Sequence, residues 1–96
     1  MAIMYTYVVR SAEDGNLGVF GSAKKAVRRG IEDLRARCAE KLGNPELEKE
    51  TKKLLAAIEK LDVKELSTTL RSEGVLEFNP GEDLSTAYLC ERFNLE

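Results

Sequence analysis

The chain has 96 residues, 43% of them hydrophobic and 33% charged, with a formal net charge of −2. These values fit one domain (1–96) with a single core and exclude a disordered, fibrous or membrane class. No stretch approaches the roughly 20 consecutive apolar residues of a bilayer span, and the opening MAIMYTYVVRS lacks the pattern of a secretory signal, so the expected compartment is cytoplasmic. Residues 1–3 precede a second methionine, Met4, and the terminal Leu95 and Glu96 resemble a cloning-site remnant, so neither end is expected to carry function.

Residues 3–10 (IMYTYVVR) are β-branched and aromatic, and they alternate, with Ile3, Tyr5, Tyr7 and Val9 on one face and Met4, Thr6 and Val8 on the other. Asp14-Gly15-Asn16 tolerates the positive φ of a tight turn, and LGVF then returns as a second strand, which makes a hairpin of residues 3–20. Ser22 is a suitable N-cap, and Ala23, Val27, Ile31, Leu34, Cys38 and Leu42 recur at steps of three or four, predicting a helix that ends at Gly43. Gly30 lies on the apolar edge of that helix, where either another backbone packs close or the glycine is simply tolerated.

Asn44-Pro45 reads as the cap and first position of a second helix carrying Leu47, Leu54, Leu55, Ile58 and Leu61, with Glu48 and Lys52 placed for an i,i+4 pair. Asp62 and Glu65 form a capping pattern for a third helix with Val63, Leu66 and Leu70, which stops at Gly74, so the helical middle spans 23–73. VLEF and TAYLCERF then read as two strands around Asn79-Pro80-Gly81, a second hairpin over 75–93. The face shared by Leu89, Glu91 and Phe93 is mixed, as in an edge strand or one that meets a partner. The fold class is therefore α+β, in the order ββαααββ: a mainly antiparallel sheet with amphipathic helices packed on one face, against the alternative of two separate small sheets.

There is no histidine, so the commonest general base and metal ligand are missing. Cys38 and Cys90 stand 52 positions apart with no CxxC spacing, which leaves no zinc or disulfide framework and predicts two buried thiols. Neither a Walker loop nor GxGxxG occurs. The acidic pairs Glu13-Asp14, Glu32-Asp33 and Glu82-Asp83 read as solvated surface. No catalytic residue, metal ligand or cofactor is therefore expected, and the chain is not expected to be an enzyme.

Residues 1–43 carry eight Lys or Arg against five Asp or Glu, whereas residues 44–96 carry seven against twelve. Lys24, Lys25, Arg28 and Arg29 crowd the first two turns of the first predicted helix, where the helix dipole favours anions, so these four are the candidate partner- or anion-binding residues. The six aromatic residues fall in predicted strands and are expected to form the core. One helical layer cannot cover both faces of the first strand, which leaves one face for a partner or a second copy of the chain.

The stretch YTYVVRSAEDGNLGVFGSAKKAV resembles the opening of many small phage-encoded and bacterial proteins: a YVV strand, a D-G turn, a G-V-F strand and an S-x-x-K-A helix start. In size and composition the whole chain resembles phage accessory inhibitors of the anti-CRISPR and anti-defence type. That resemblance implies a non-enzymatic protein-binding module that blocks a host nucleic-acid-handling complex, and it carries over no residue roles. The expected partner is a heterologous host protein or ribonucleoprotein; the alternatives are a nucleic acid or nucleotide held by the basic helix start, and a homodimer.

Overall fold

The computed structural model describes residues 5–81 and 86–94. Its elements are β1 (Tyr5–Ser11), β2 (Gly15–Phe20), α1 (Ala23–Lys41), α2 (Glu48–Glu59), α3 (Val63–Glu73), β3 (Val75–Phe78) and β4 (Tyr88–Asn94). This is the predicted α+β order ββαααββ, and both hairpins join one four-stranded antiparallel sheet in the order β2-β1-β4-β3. Met4 and the pair Glu82-Asp83 lie outside the described residues.

The first hairpin closes because Ser11 Oγ accepts from the amides of Glu13 and Asp14, at 3.1 and 3.2 Å, while Gly15 takes a φ of 75°. A bulge follows: Val9 pairs with Gly18 but Arg10 with Asn16, leaving Leu17 as the extra residue. β1 then pairs along its whole length with β4, from Tyr5 opposite Asn94 to Ser11 opposite Tyr88. β4 is thus an interior strand, which excludes the edge-strand reading of its mixed face and leaves the other, a face that meets a partner.

Strand alternation turns Tyr7, Val9, Leu76, Phe78, Tyr88 and Cys90 toward the helices, and all are buried. α1 supplies the opposing stripe of Ala23, Ala26, Val27, Gly30, Ile31, Leu34 and Cys38. Full burial of an aliphatic or aromatic side chain stabilises by about 1.5 to 3 kcal/mol, so this layer carries most of the folding energy. Cys38 and Cys90 are both buried and unbridged, as the spacing predicts. Phe93 departs from the predicted aromatic core because its parity on β4 turns it outward, 42% exposed.

Gly30 does have a close neighbour, but it is a ring and not a backbone: a Cβ there would stand 2.9 Å from Phe78 Cζ. Phe78 is itself stacked on Tyr88, with centroids 5.3 Å apart, so the ring has little room to retreat.

The helix ends follow local capping chemistry. Ser22 accepts from the Lys25 amide at 3.2 Å, and Asp62 from the amides of Lys64 and Glu65. α3 stops at Gly74, whose φ is 79°, and Arg92 of β4 completes its end: the guanidinium donates to the Arg71 carbonyl and the backbone amide to the Gly74 carbonyl at 2.8 Å. The same guanidinium lies over the Tyr5 ring at 4.5 Å.

α2 differs from expectation. Asn44 Oδ1 accepts from the Glu46 amide, and the Asn44 carbonyl accepts from the Leu47 amide, so Asn44-Pro45 opens a turn and the helix begins only at Glu48. Every residue from 41 to 50 is exposed, including Leu42 and Leu47, which the helical spacing had placed in the core. Glu48 and Lys52 do form the predicted i,i+4 pair, at 3.0 Å.

Gly30→Ala is expected to destabilise the fold by about 1 to 3 kcal/mol through overpacking against Phe78, even though alanine is the better helix former by about 1 kcal/mol. Gly43→Ala, with nothing within 4 Å of the added Cβ, is expected to be neutral within about 0.5 kcal/mol. Urea melts of the two variants check this; equal midpoints would refute the tight contact.

Candidate functional site

The four basic residues do not form a single cluster. Lys24 and Arg28 are four positions apart and share a line on α1, while Lys25 and Arg29 share the adjacent one. Lys24, Lys25 and Arg28 are exposed and have no ion-pair partner among the described residues. Arg29 is half-buried and reaches Asp33 at 4.0 Å, so it is the most nearly neutralised of the four. The first turn of α1 holds no acidic residue to offset them.

Continuing the Lys24–Arg28 line by seven positions reaches Arg35, a further basic residue on the same side of α1. Arg28, Glu32 and Arg35 border a groove of about 180 Å³ whose floor is Ile31, Ile58, Leu61 and Val63, where α1 meets the α2–α3 junction. Arg35 also pairs with Glu59 across the groove at 3.5 Å, with both side chains largely in water. The spacing 28, 32, 35 was visible in the sequence; the apolar floor was not, because it comes from another segment.

A second polar cluster links β4, α1 and the first hairpin. Tyr88 is 1% exposed, and its hydroxyl accepts from Arg37 Nη2 and donates to Asp33 Oδ2, both at 2.7 Å. Arg37 Nε lies 3.6 Å from Asp33 Oδ2 and 3.9 Å from Asp14 Oδ2, and it is buried without a hydrogen bond of its own. Asp33 is therefore not the solvated charge expected of an acidic pair: its side chain is 15% exposed and anchors the buried phenol. Burial pulls the Arg37 pKa down, but its bond to Tyr88 and the charges of Asp33 and Asp14 outweigh this, and the net shift is upward. Burial pushes the Tyr88 phenol up to about 12 and the Cys90 thiol also to about 12. Both groups are held neutral, and neither is placed to act as a nucleophile or base at physiological pH.

The third feature is the sheet face away from the helices, which no described element covers. It carries Thr6, Val8, Arg10, Val19, Val75, Glu77, Leu89, Glu91 and Phe93. Val19 and Val75 are among the most exposed large apolar residues described, at 62% and 50%. Arg10 crosses diagonally to Glu91 at 3.6 Å.

Among the described residues no group of three or more cysteine, aspartate or glutamate side chains is placed to hold a metal ion, and no helix is long and apolar enough to cross a membrane. Comparison with protein-family models, with curated proteins and with solved structures returned no match.

The Tyr88 shift gives a pH dependence. Its folded pKa stands above its unfolded value near 10, so the neutral-phenol stabilisation is complete below pH 10 and fades as the pH rises toward 12. Cys90 acts in the same sense from about pH 9 upward. The melting temperature is expected to hold between pH 7 and about 9 and to drop toward pH 12. Tyr88→Phe is expected to lower stability at pH 7 by about 1 to 3 kcal/mol, because Asp33 and Arg37 lose their partner, and to flatten the drop between pH 10 and 12. An unchanged alkaline slope in that variant would remove Tyr88 from the account.

Proposed function

We propose that the protein is a non-enzymatic binding module whose basic α1 face attaches to an acidic surface of a larger protein. The observation that carries this reading is the trio Lys24, Lys25 and Arg28, exposed and unpaired among the described residues in the first two turns of a helix. Lys24 and Lys25 lie in the first turn of α1, where the helix dipole disfavours cations, and an anionic partner offsets that cost. The neighbouring groove adds an apolar floor, which suits an aliphatic or aromatic side chain flanked by carboxylates better than it suits a phosphodiester backbone.

The likeness of residues 5–27 to the opening of small phage-encoded proteins supports the inhibitor form of this reading, in the manner of anti-CRISPR and other anti-defence proteins. Such an inhibitor needs no active site; it occupies a surface that a host complex requires. A second reading follows from the same residues: the positive end of α1 with its flanking lysines would also hold the phosphate of a nucleotide or nucleic acid. The net charge of −2 weighs against extended nucleic-acid binding.

Both readings answer to one set of titrations. A partner captured from a bacterial host lysate is expected to bind with an affinity that falls with salt and drops at least about tenfold for the triple variant Lys24→Ala, Lys25→Ala, Arg28→Ala. A partner retained equally well by that variant would refute the α1 contact. Saturable binding of labelled single-stranded DNA, RNA or a nucleotide, lost in the same variant, would establish the second reading in its place.

A further inference from the structure

We infer that the open face of the sheet is a homodimer interface, in which two copies stack face to face about a two-fold axis parallel to the strands, between β1 and β4. This interface is independent of the basic face of α1, which lies on the helical side of the sheet.

The ladder registers arrange the outward side chains in three rows. Thr6 stands beside Phe93; Val19, Val8, Glu91 and Val75 cross the sheet from edge to edge; and Asn16, Arg10, Leu89 and Glu77 follow in the third row. Val8 and Glu91 are the midpoints of the two seven-residue central strands, so the pattern is centred on the proposed axis. A two-fold axis along the strands reverses each row and keeps it at its own level. Val19 of one copy then faces Val75 of the other on both edges, Phe93 faces Thr6 twice, and at the centre Val8 faces Glu91, whose carboxylate keeps its own Arg10 at 3.6 Å.

The charges pair under the same operation. Arg10 of one copy arrives over Leu89 of the other, next to Glu77, which has no ion-pair partner among the described residues. Arg10 is free to make the reach, with 54% of its side chain exposed despite the 3.6 Å pair with Glu91. A shallow recess of about 220 Å³ lies at this end of the face, lined by Ala12 and Ala87 as well as Arg10, Leu89 and Glu77, and leaves space for the incoming side chain. The other in-plane axis, perpendicular to the strands, sets Glu91 against Glu91 and is disfavoured by like charge.

Strands about 4.8 Å apart with a rise of about 3.3 Å per residue make this face about 19 Å wide and about 20 Å long, so pairing covers on the order of 800 Å² across two copies. That is the size of a weak, reversible interface, with an expected dissociation constant of roughly 10 μM to 1 mM. Face-to-face sheets at about 10 Å separation leave room for the Arg10 and Glu77 side chains to meet.

Sedimentation equilibrium of the intact chain over that concentration range tests the interface. Arg10→Glu and Glu77→Arg each oppose like charges twice in their own homodimers, so each is expected to raise the dissociation constant at least about tenfold. An equimolar mixture of these two variants restores opposite charges at both contacts and is expected to dimerise like the parent, as is the chain carrying both changes. Val19→Lys, on an exposed edge residue, is expected to weaken the dimer while leaving the circular dichroism unchanged. A chain that stays monomeric to about 1 mM overturns the proposal. So does a dimer indifferent to Val19→Lys and to both charge reversals, as an edge-to-edge or helix-mediated pair would be, and so does a mixture that fails to recover association.

Discussion

The pairing of β1 with β4 is the constraint on which the rest of the molecule depends. It joins the first and last described elements through seven residue pairs and fuses two hairpins, each marginal alone, into one sheet. It also fixes parity. With Tyr7 opposite Arg92 and Val9 opposite Cys90, every second side chain of both central strands faces the helical layer, and a slip by one residue would carry Tyr88 and Cys90 out of the core.

Two polar arrangements secure that register from the side. Tyr88, Asp33 and Arg37 tie the start of β4 to the middle of α1, and Asp14 brings the first hairpin turn to the same guanidinium. At the other end of β4, Arg92 holds the close of α3 and covers Tyr5. Because the sheet has a single helical layer, the same parity that builds the core leaves Val8, Val19, Val75, Leu89 and Phe93 uncovered among the described residues. The core and the proposed contact surface are two faces of one alternation.

The elements legible in the sequence are those defined by local spacing and capping: the steps of three and four on α1, Ser22 and Asp62 as caps, Gly74 as a stop. Features set by distant segments were not. Asp33 reads as surface because Tyr88 lies 55 positions away, and Gly30 reads as a backbone contact or a tolerated glycine because the Phe78 ring that fills the space belongs to β3. Leu42 and Leu47 keep the helical period yet lie where nothing covers them, so periodicity alone overstates the core. Of the candidate site, Lys24, Lys25, Arg28 and Arg29 were readable as a basic run, whereas the pairing of Arg29 alone, Arg35 and the groove floor needed the packing of α1 on α2 and α3.

The uncovered connection between α1 and α2 bears on engineering. Residues 42–47, all exposed and broken by Gly43 and Pro45, form a connection whose backbone bonds are local. Extra sequence spliced in there loads neither the sheet nor the α1 stripe, which makes it the natural point for grafting a reporter or an epitope.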